Sequence, residues 1–195
     1  MKTLRIILTA ATVFMMALIF WFSAQPADDS SEMSTSVGLV VGHIFVPGFD
    51  DKPEAEQMTY AESIDYPVRK CAHATEYAVL SALCICTLFS WSYSKSIKDK
   101  NSNKCMPAAD SGIGRSLSAA SSASRCLTSK NAIPLIIGGW LIATLYAATD
   151  EFHQLFVDGR ACLFKDVMID SAGAAFAAIV ILLIVIRSQR SRAGD

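Results

Sequence analysis

The sequence predicts an all-α polytopic membrane protein, with four transmembrane helices in one domain over residues 1–195. Three observations carry this expectation. Hydrophobic residues make up 52% of the 195 residues and charged ones 18%, and mean hydropathy is +0.37, a composition typical of integral membrane proteins. Four runs, near Leu4–Ser23, Cys71–Trp91, Ala132–Phe152 and Val167–Ile186, have the roughly 20 helical residues needed to cross a hydrocarbon core of about 30 Å. The basic residues are also sorted by side. Four crossings put Lys2, Arg5, seven residues from Lys95 to Lys130, Arg187, Arg190 and Arg192 on one side, against Lys52, Arg69, Lys70, Arg160 and Lys165 on the other. That bias predicts both termini in the cytoplasm.

The first run follows Lys2 and Arg5 and ends in small residues, as a signal peptide would. It is longer than an h-region of about 7–15 residues, and Phe22 stands where a cleavage site needs a small side chain, so it is expected to be a retained helix. The outer segment 24–69 is predicted to hold short amphipathic helices. Val37, Val40, Val41, Ile44 and Phe45 recur at helical spacing beside Ser36, Gly42 and His43, behind the candidate caps Ser30, Ser31 and Ser34, a pattern for a helix lying in the interface. Pro47 and Gly48 break it. A second helix is expected to start at Pro53, with Glu54 and Glu56 complementing its dipole, and to stop by Tyr66 because Pro67 disfavours helical angles before it.

The inner segment 92–131 is rich in Ser, Lys, Asn, Ala and Gly, and its SLSAASSAS stretch is close to low complexity. A mostly disordered cytoplasmic loop is expected, and its basic residues are spread too widely for a strong lipid-binding arm. In the last span, Gly173, Ala174, Ala175, Ala177 and Ala178 suit close helix packing in lipid. Cys84 and Cys86 lie in the second span and Cys105 and Cys126 in the inner loop. Cys71 and Cys162 fall near the outer surface, where a disulfide between them is an alternative to two free thiols.

Residues Asp150 to Asp170 read DEFHQLFVDGRACLFKDVMID, a concentration of ionisable groups between two apolar runs. Each such group costs roughly 2.5–3.5 kcal/mol at the centre of a membrane helix, so a cluster marks a candidate site. The topology brings the carboxyl end of the third span and the amino ends of the second and fourth to the outer side. There Lys70, His73 and Tyr77 fall at i, i+3, i+7, and Arg69, His73 and Glu76 at i, i+4, i+7. Asp150 and Gln154, like Asp166 and Asp170, are four apart. Asp150 and Glu151 face the negative end of a helix dipole and need cations; Arg69, Lys70 and Arg160 are available, and Arg160 is expected to make a bidentate pair with Asp150 or Asp170. The expected binding set is therefore Arg69, Lys70, His73, Glu76, Tyr77, Asp150, Glu151, Gln154, Arg160, Asp166 and Asp170.

His73, Glu76, Asp150, Glu151 and His153 have ligand chemistry, but no HExxH spacing or thiolate pair accompanies them, so neither a metal nor a cofactor is expected. No GxSxG elbow points to covalent catalysis. Glu76, Asp150 and His73 are the candidates for acid–base work. A formal net charge of −1 gives no reason to expect nucleic acid as a partner.

RKCAHATEYAVL from Arg69, then DEFHQLFVDGR, then KDVMIDSAG, preceded by WFSAQPADDSSEMS after the first span, resembles the VanZ-like family of bacterial membrane proteins. By that resemblance Lys70, His73, Glu76 and Tyr77 match the first block, Asp150, Glu151, Gln154 and Arg160 the second, and Asp166, Asp170 and Gly173 the third. Ala161 to Phe164 is more apolar than the stretch usual in the family, and the serine-rich loop is longer. The family takes its name from a protein of glycopeptide-resistance clusters associated with lowered teicoplanin sensitivity, though most members lie outside such clusters. The expected function is an outward polar site that binds or acts on a cell-envelope component, with membrane lipids as partners and an anionic, lipid-linked or phosphate-bearing group as ligand. The rival readings are a membrane hydrolase or transferase, an ion-coupled transporter, which four helices would support only as an oligomer, and a structural protein whose charges lock its helices.

Overall fold

The computed structural model describes residues 2–102 and 129–193. They form six helices, α1 (Lys2–Ser23), α2 (Ala27–Phe45), α3 (Glu54–Ser63), α4 (Asp65–Ser102), α5 (Ser129–Gln154) and α6 (Phe164–Ala193), with no strand among the described residues. Four are long and apolar enough to cross a membrane, over Lys2–Ser23, Asp65–Tyr93, Ala132–Gln154 and Phe164–Ser191. The chain is a multi-pass membrane protein. Phe14, Trp21, Leu145, Phe176 and Ile184 are 61–69% exposed on these spans, which is the natural place for large apolar side chains when the surrounding solvent is hydrocarbon.

Because lipid is as apolar as leucine, contact between spans depends on close packing more than on hydrophobic burial. α4 is central, packing on α6, α5 and α1, while α5 packs on α6. Ile19, Tyr77, Leu80, Cys84, Ala143, Ala147 and Ala174 form the main core. At Gly173 a side chain would run into the backbone carbonyl of Ala74, and at Gly139 into Ile85, so α4 meets both α6 and α5 almost backbone to backbone. Of the small residues expected to pack, Ala174 and Ala178 are buried.

The helices of segment 24–69 differ from expectation in their boundaries. α2 begins at Ala27 behind Pro26, so Ser30, Ser31 and Ser34 lie inside the helix and are not its caps. Its buried residues are Ser30, Ser34, Gly38 and Gly42. Val37, Val40, Ile44 and Phe45 are exposed. Small side chains let α2 sit tightly on Ala61 of α3 and on the Phe49 ring, and the large apolar ones face away from the protein. α3 has Pro53 at its N-cap position and ends at Ser63, before the expected limit of Tyr66. Pro67 does not stop a helix; it sits in the first turn of α4, where its missing N–H has no partner to lose.

α4 continues to Ser102 and α5 starts at Ser129, so both margins of the expected loop 92–131 are helical. The disorder expected for its middle falls outside the described residues. Cys71 and Cys162 are both free, so the disulfide alternative fails.

Candidate functional site

Three helix ends meet at the end of the bundle where α1 finishes. Ser23 closes α1, Asp150, Glu151 and Gln154 close α5, Lys70, His73, Glu76 and Tyr77 lie in the first turns of α4, and Asp166 and Asp170 open α6. Polar contacts below the cluster hold these ends in register. Thr144 and Ser171 share a hydrogen bond of 3.0 Å, Trp140 Nε1 donates to the Ser171 carbonyl at 3.3 Å, and the Tyr146 hydroxyl donates to the Met16 carbonyl at 2.7 Å.

The inner part of the cluster is rich in acids and closed to solvent. Asp150, Glu151, Gln154, Asp166 and Asp170 are at most 5% exposed. Lys70 Nζ lies 2.5 Å from Asp166 Oδ2, and Asp170 is within electrostatic reach of Lys70, Glu151, Asp150 and Asp166. Gln154 Nε2 donates to Ser23 Oγ at 2.9 Å and to Asp150 Oδ2 at 3.5 Å. The Leu163 N–H donates to Glu151 Oε2 at 3.2 Å, so a carboxylate at the end of α5 satisfies the backbone just ahead of α6. The Tyr77 hydroxyl lies beside Asp150. It has no hydrogen-bond partner among the described residues, and neither do Ser81 Oγ or one oxygen each of Asp150, Asp166 and Asp170.

A second group lines an open cleft. The cleft has a volume of about 890 Å³ between the end of α1, α2, α3 and the start of α4. Met33, Val37, Val41, Ile64 and Val68 contribute its apolar wall, and Arg69, His73, Glu76 and Arg160 its polar end. Arg69 Nη2 pairs with Asp65 Oδ2 at 2.5 Å, and His73 Nδ1 stands 3.8 Å from Glu76 Oε2. Ser34 of α2 hydrogen-bonds to Asp65, joining the apolar wall to the start of α4.

Arg160 does not make the bidentate carboxylate pair expected of it. Its Nε donates to the Gln25 carbonyl at 3.0 Å and its Nη2 to the Phe22 carbonyl at 3.5 Å. The last carbonyls of a helix have no partner within it, and here the planar guanidinium supplies one for α1. The turn that carries Arg160 explains its reach. Gly159 has φ +72°, and a side chain there would strike Ala27, whose N–H donates to the Asp158 carbonyl at 3.2 Å. The turn is thus docked on the start of α2. Burial and then the neighbouring Arg69 pull the Arg160 pKa below its usual value, with Asp150 and Glu151 opposing; an arginine keeps its proton regardless.

All the expected site residues therefore gather at one end, but in two sets. Lys70, Tyr77, Asp150, Glu151, Gln154, Asp166 and Asp170 belong to the buried cluster, and Arg69, His73, Glu76 and Arg160 to the cleft. His153 turns away to stack on Phe20 of α1 at 4.4 Å. Among the described residues no three His, Cys, Asp or Glu side chains are placed to hold a metal ion. Ser23 and Asp65 join the site unexpectedly. Asp65 stands four residues before Arg69, a spacing that helical pairing rules flag, whereas nothing in the sequence marks Ser23 as the acceptor for Gln154.

A family model described as VanZ/LLP1 matches residues 8–186. The chain belongs to the VanZ/LLP1 family. The match runs from α1 into α6, so in this VanZ/LLP1 protein it takes in both the buried cluster and the cleft. No curated protein and no solved structure matches it.

Proposed function

We propose that this VanZ/LLP1 protein binds an anionic, lipid-linked component of the cell envelope in the cleft between α2, α3 and α4. One observation carries the reading: a space of about 890 Å³ joins an apolar wall to an end bearing Arg69, His73, Glu76 and Arg160. An amphiphile needs both, an apolar surface for its chain and cations for its phosphate. In this reading the site end faces outward, both termini are cytoplasmic in the bacterial plasma membrane, and altered teicoplanin tolerance follows from holding an envelope precursor. The buried acids, with Lys70, fasten the helices that carry the cleft.

The test is binding of a polyprenyl phosphate and of the matching neutral polyprenol to the purified protein. The phosphate is expected to bind more tightly, and Arg69→Gln to lose about tenfold, in the range of one charge-assisted hydrogen bond. Equal affinity for phosphate and alcohol would sink the reading. Teicoplanin and vancomycin susceptibility of a host expressing the chain, with and without Arg69→Gln, reports the cellular consequence.

A second reading rests on the 3.8 Å approach of His73 and Glu76 at the polar end of the cleft. Such a pair can pass a proton to or from a bound ligand, which makes a hydrolase or transferase the alternative. It predicts turnover of the phosphate-bearing lipid that disappears in Glu76→Gln while binding persists. Turnover that survives in that variant removes Glu76 from the chemistry.

A further inference from the structure

A second groove lies at the opposite end of the bundle, between the start of α1 and Trp91 of α4. Its volume is about 760 Å³, and it is lined by Lys2, Arg5, Thr9, Val13, Phe14 and Trp91 among others. The Arg5 guanidinium lies over the Trp91 ring, 5.5 Å from its centroid, and Trp91 Nε1 donates to Thr9 Oγ1 at 3.4 Å. Arg5 makes no ion pair among the described residues, and its buried Nε has no hydrogen-bond partner there. α1 also has no acid in its first turn, so Lys2 and Arg5 stand at the positive end of a helix dipole, where cations are disfavoured.

Two cations and a helix amino terminus thus open onto a groove whose other walls are mostly apolar. We propose that this groove holds one anionic phospholipid, its phosphate between Lys2 and Arg5 and an acyl chain running along Ile6, Ala10, Val13 and Ala17. The length fits a single leaflet. From Arg5 to Ala17 the helix rises about 18 Å at about 1.5 Å per residue, against about 15 Å for half of a hydrocarbon core of about 30 Å. The charge selects the headgroup. A zwitterionic lipid would bring an amine for which the groove offers no described acid, while phosphatidylglycerol brings the anion alone.

The test uses the full chain in phosphatidylcholine–phosphatidylglycerol vesicles in which one lipid or the other carries brominated acyl chains. Trp91 emission is taken as the difference from Trp91→Phe. Brominated phosphatidylglycerol is expected to quench this emission with an apparent preference of about fivefold or more, given about 1 kcal/mol per basic residue at an anionic membrane surface. Arg5→Gln, which leaves Lys2 in place, should cut the preference about fivefold and Arg5→Lys should keep it. Added inorganic phosphate should leave the quenching unchanged. Equal quenching by the two lipids, a preference undiminished in Arg5→Gln, or displacement by phosphate would each overturn the proposal.

Discussion

Lys70 and Arg69 are neighbours on α4, yet they serve different surroundings. Lys70 points into the bundle and pairs with buried Asp166; Arg69 points into the cleft and pairs along its own helix with Asp65. The same division separates Tyr77, fully buried, from Glu76, which lines the cleft. A single helix therefore supplies a charge to a closed assembly and a charge to an open one, and the helical period of 3.6 residues per turn sorts them. Removing a buried charge should damage the fold, whereas removing a cleft charge should spare the fold and change what is bound.

The largest effect is expected where the buried assembly depends on backbone contact. Gly173→Val would force α6 away from Ala74 and should leave no properly assembled bundle, seen as loss of a monodisperse species after detergent extraction. A stable, monodisperse variant would mean that α4 and α6 do not meet so closely. Next is Lys70→Met, which leaves Asp166 and its acidic neighbours without their buried cation. Breaking a buried pair from one side costs about 3–5 kcal/mol, and the thermal midpoint should fall accordingly. Arg69→Gln comes third in stability, because its pair is partly exposed and worth about 1 kcal/mol or less. Its signature is the tenfold loss of polyprenyl phosphate binding, and if it unfolded the protein as readily as Lys70→Met, the division between the two sets would collapse. The smallest effect is expected for Ser23→Ala, which deprives Gln154 of its 2.9 Å acceptor and should cost about 1 kcal/mol by thermal unfolding, with ligand binding unchanged.

Much of this organisation was legible before the structure. The bilayer demands apolar helices of a certain length, so the four spans stand out, and four crossings place Asp150, Lys70 and Asp170 at one end whatever the packing details. The finer features depend on what faces what, which spacing does not reveal. Val37, Val40 and Ile44 mark the exposed apolar face of α2, but nothing in their spacing shows that Ser30, Ser34, Gly38 and Gly42 form the face that packs on the protein. Pro67 can close one helix or open another, and the short link after Ser63 decides it. Arg160 finds the carbonyls of Phe22 and Gln25 through a turn anchored at Gly159 and Ala27, a long-range meeting with no local signature.

The sparse attachments of α1 have a consequence for biosynthesis. It packs chiefly on α4, whose membrane-spanning part is complete only at Tyr93. Roughly 70 residues separate that point from Ser23, so at about 5–20 residues per second α1 waits alone in the bilayer for about 4–14 s. The helix is suited to the wait. Thr12, a hydroxyl in its middle, already donates to the Leu8 carbonyl of its own backbone at 2.9 Å, and Ser23, which needs Gln154, stands at its last position. A lone α1 therefore keeps the Thr12 hydroxyl satisfied at mid-membrane while its partners are still being translated.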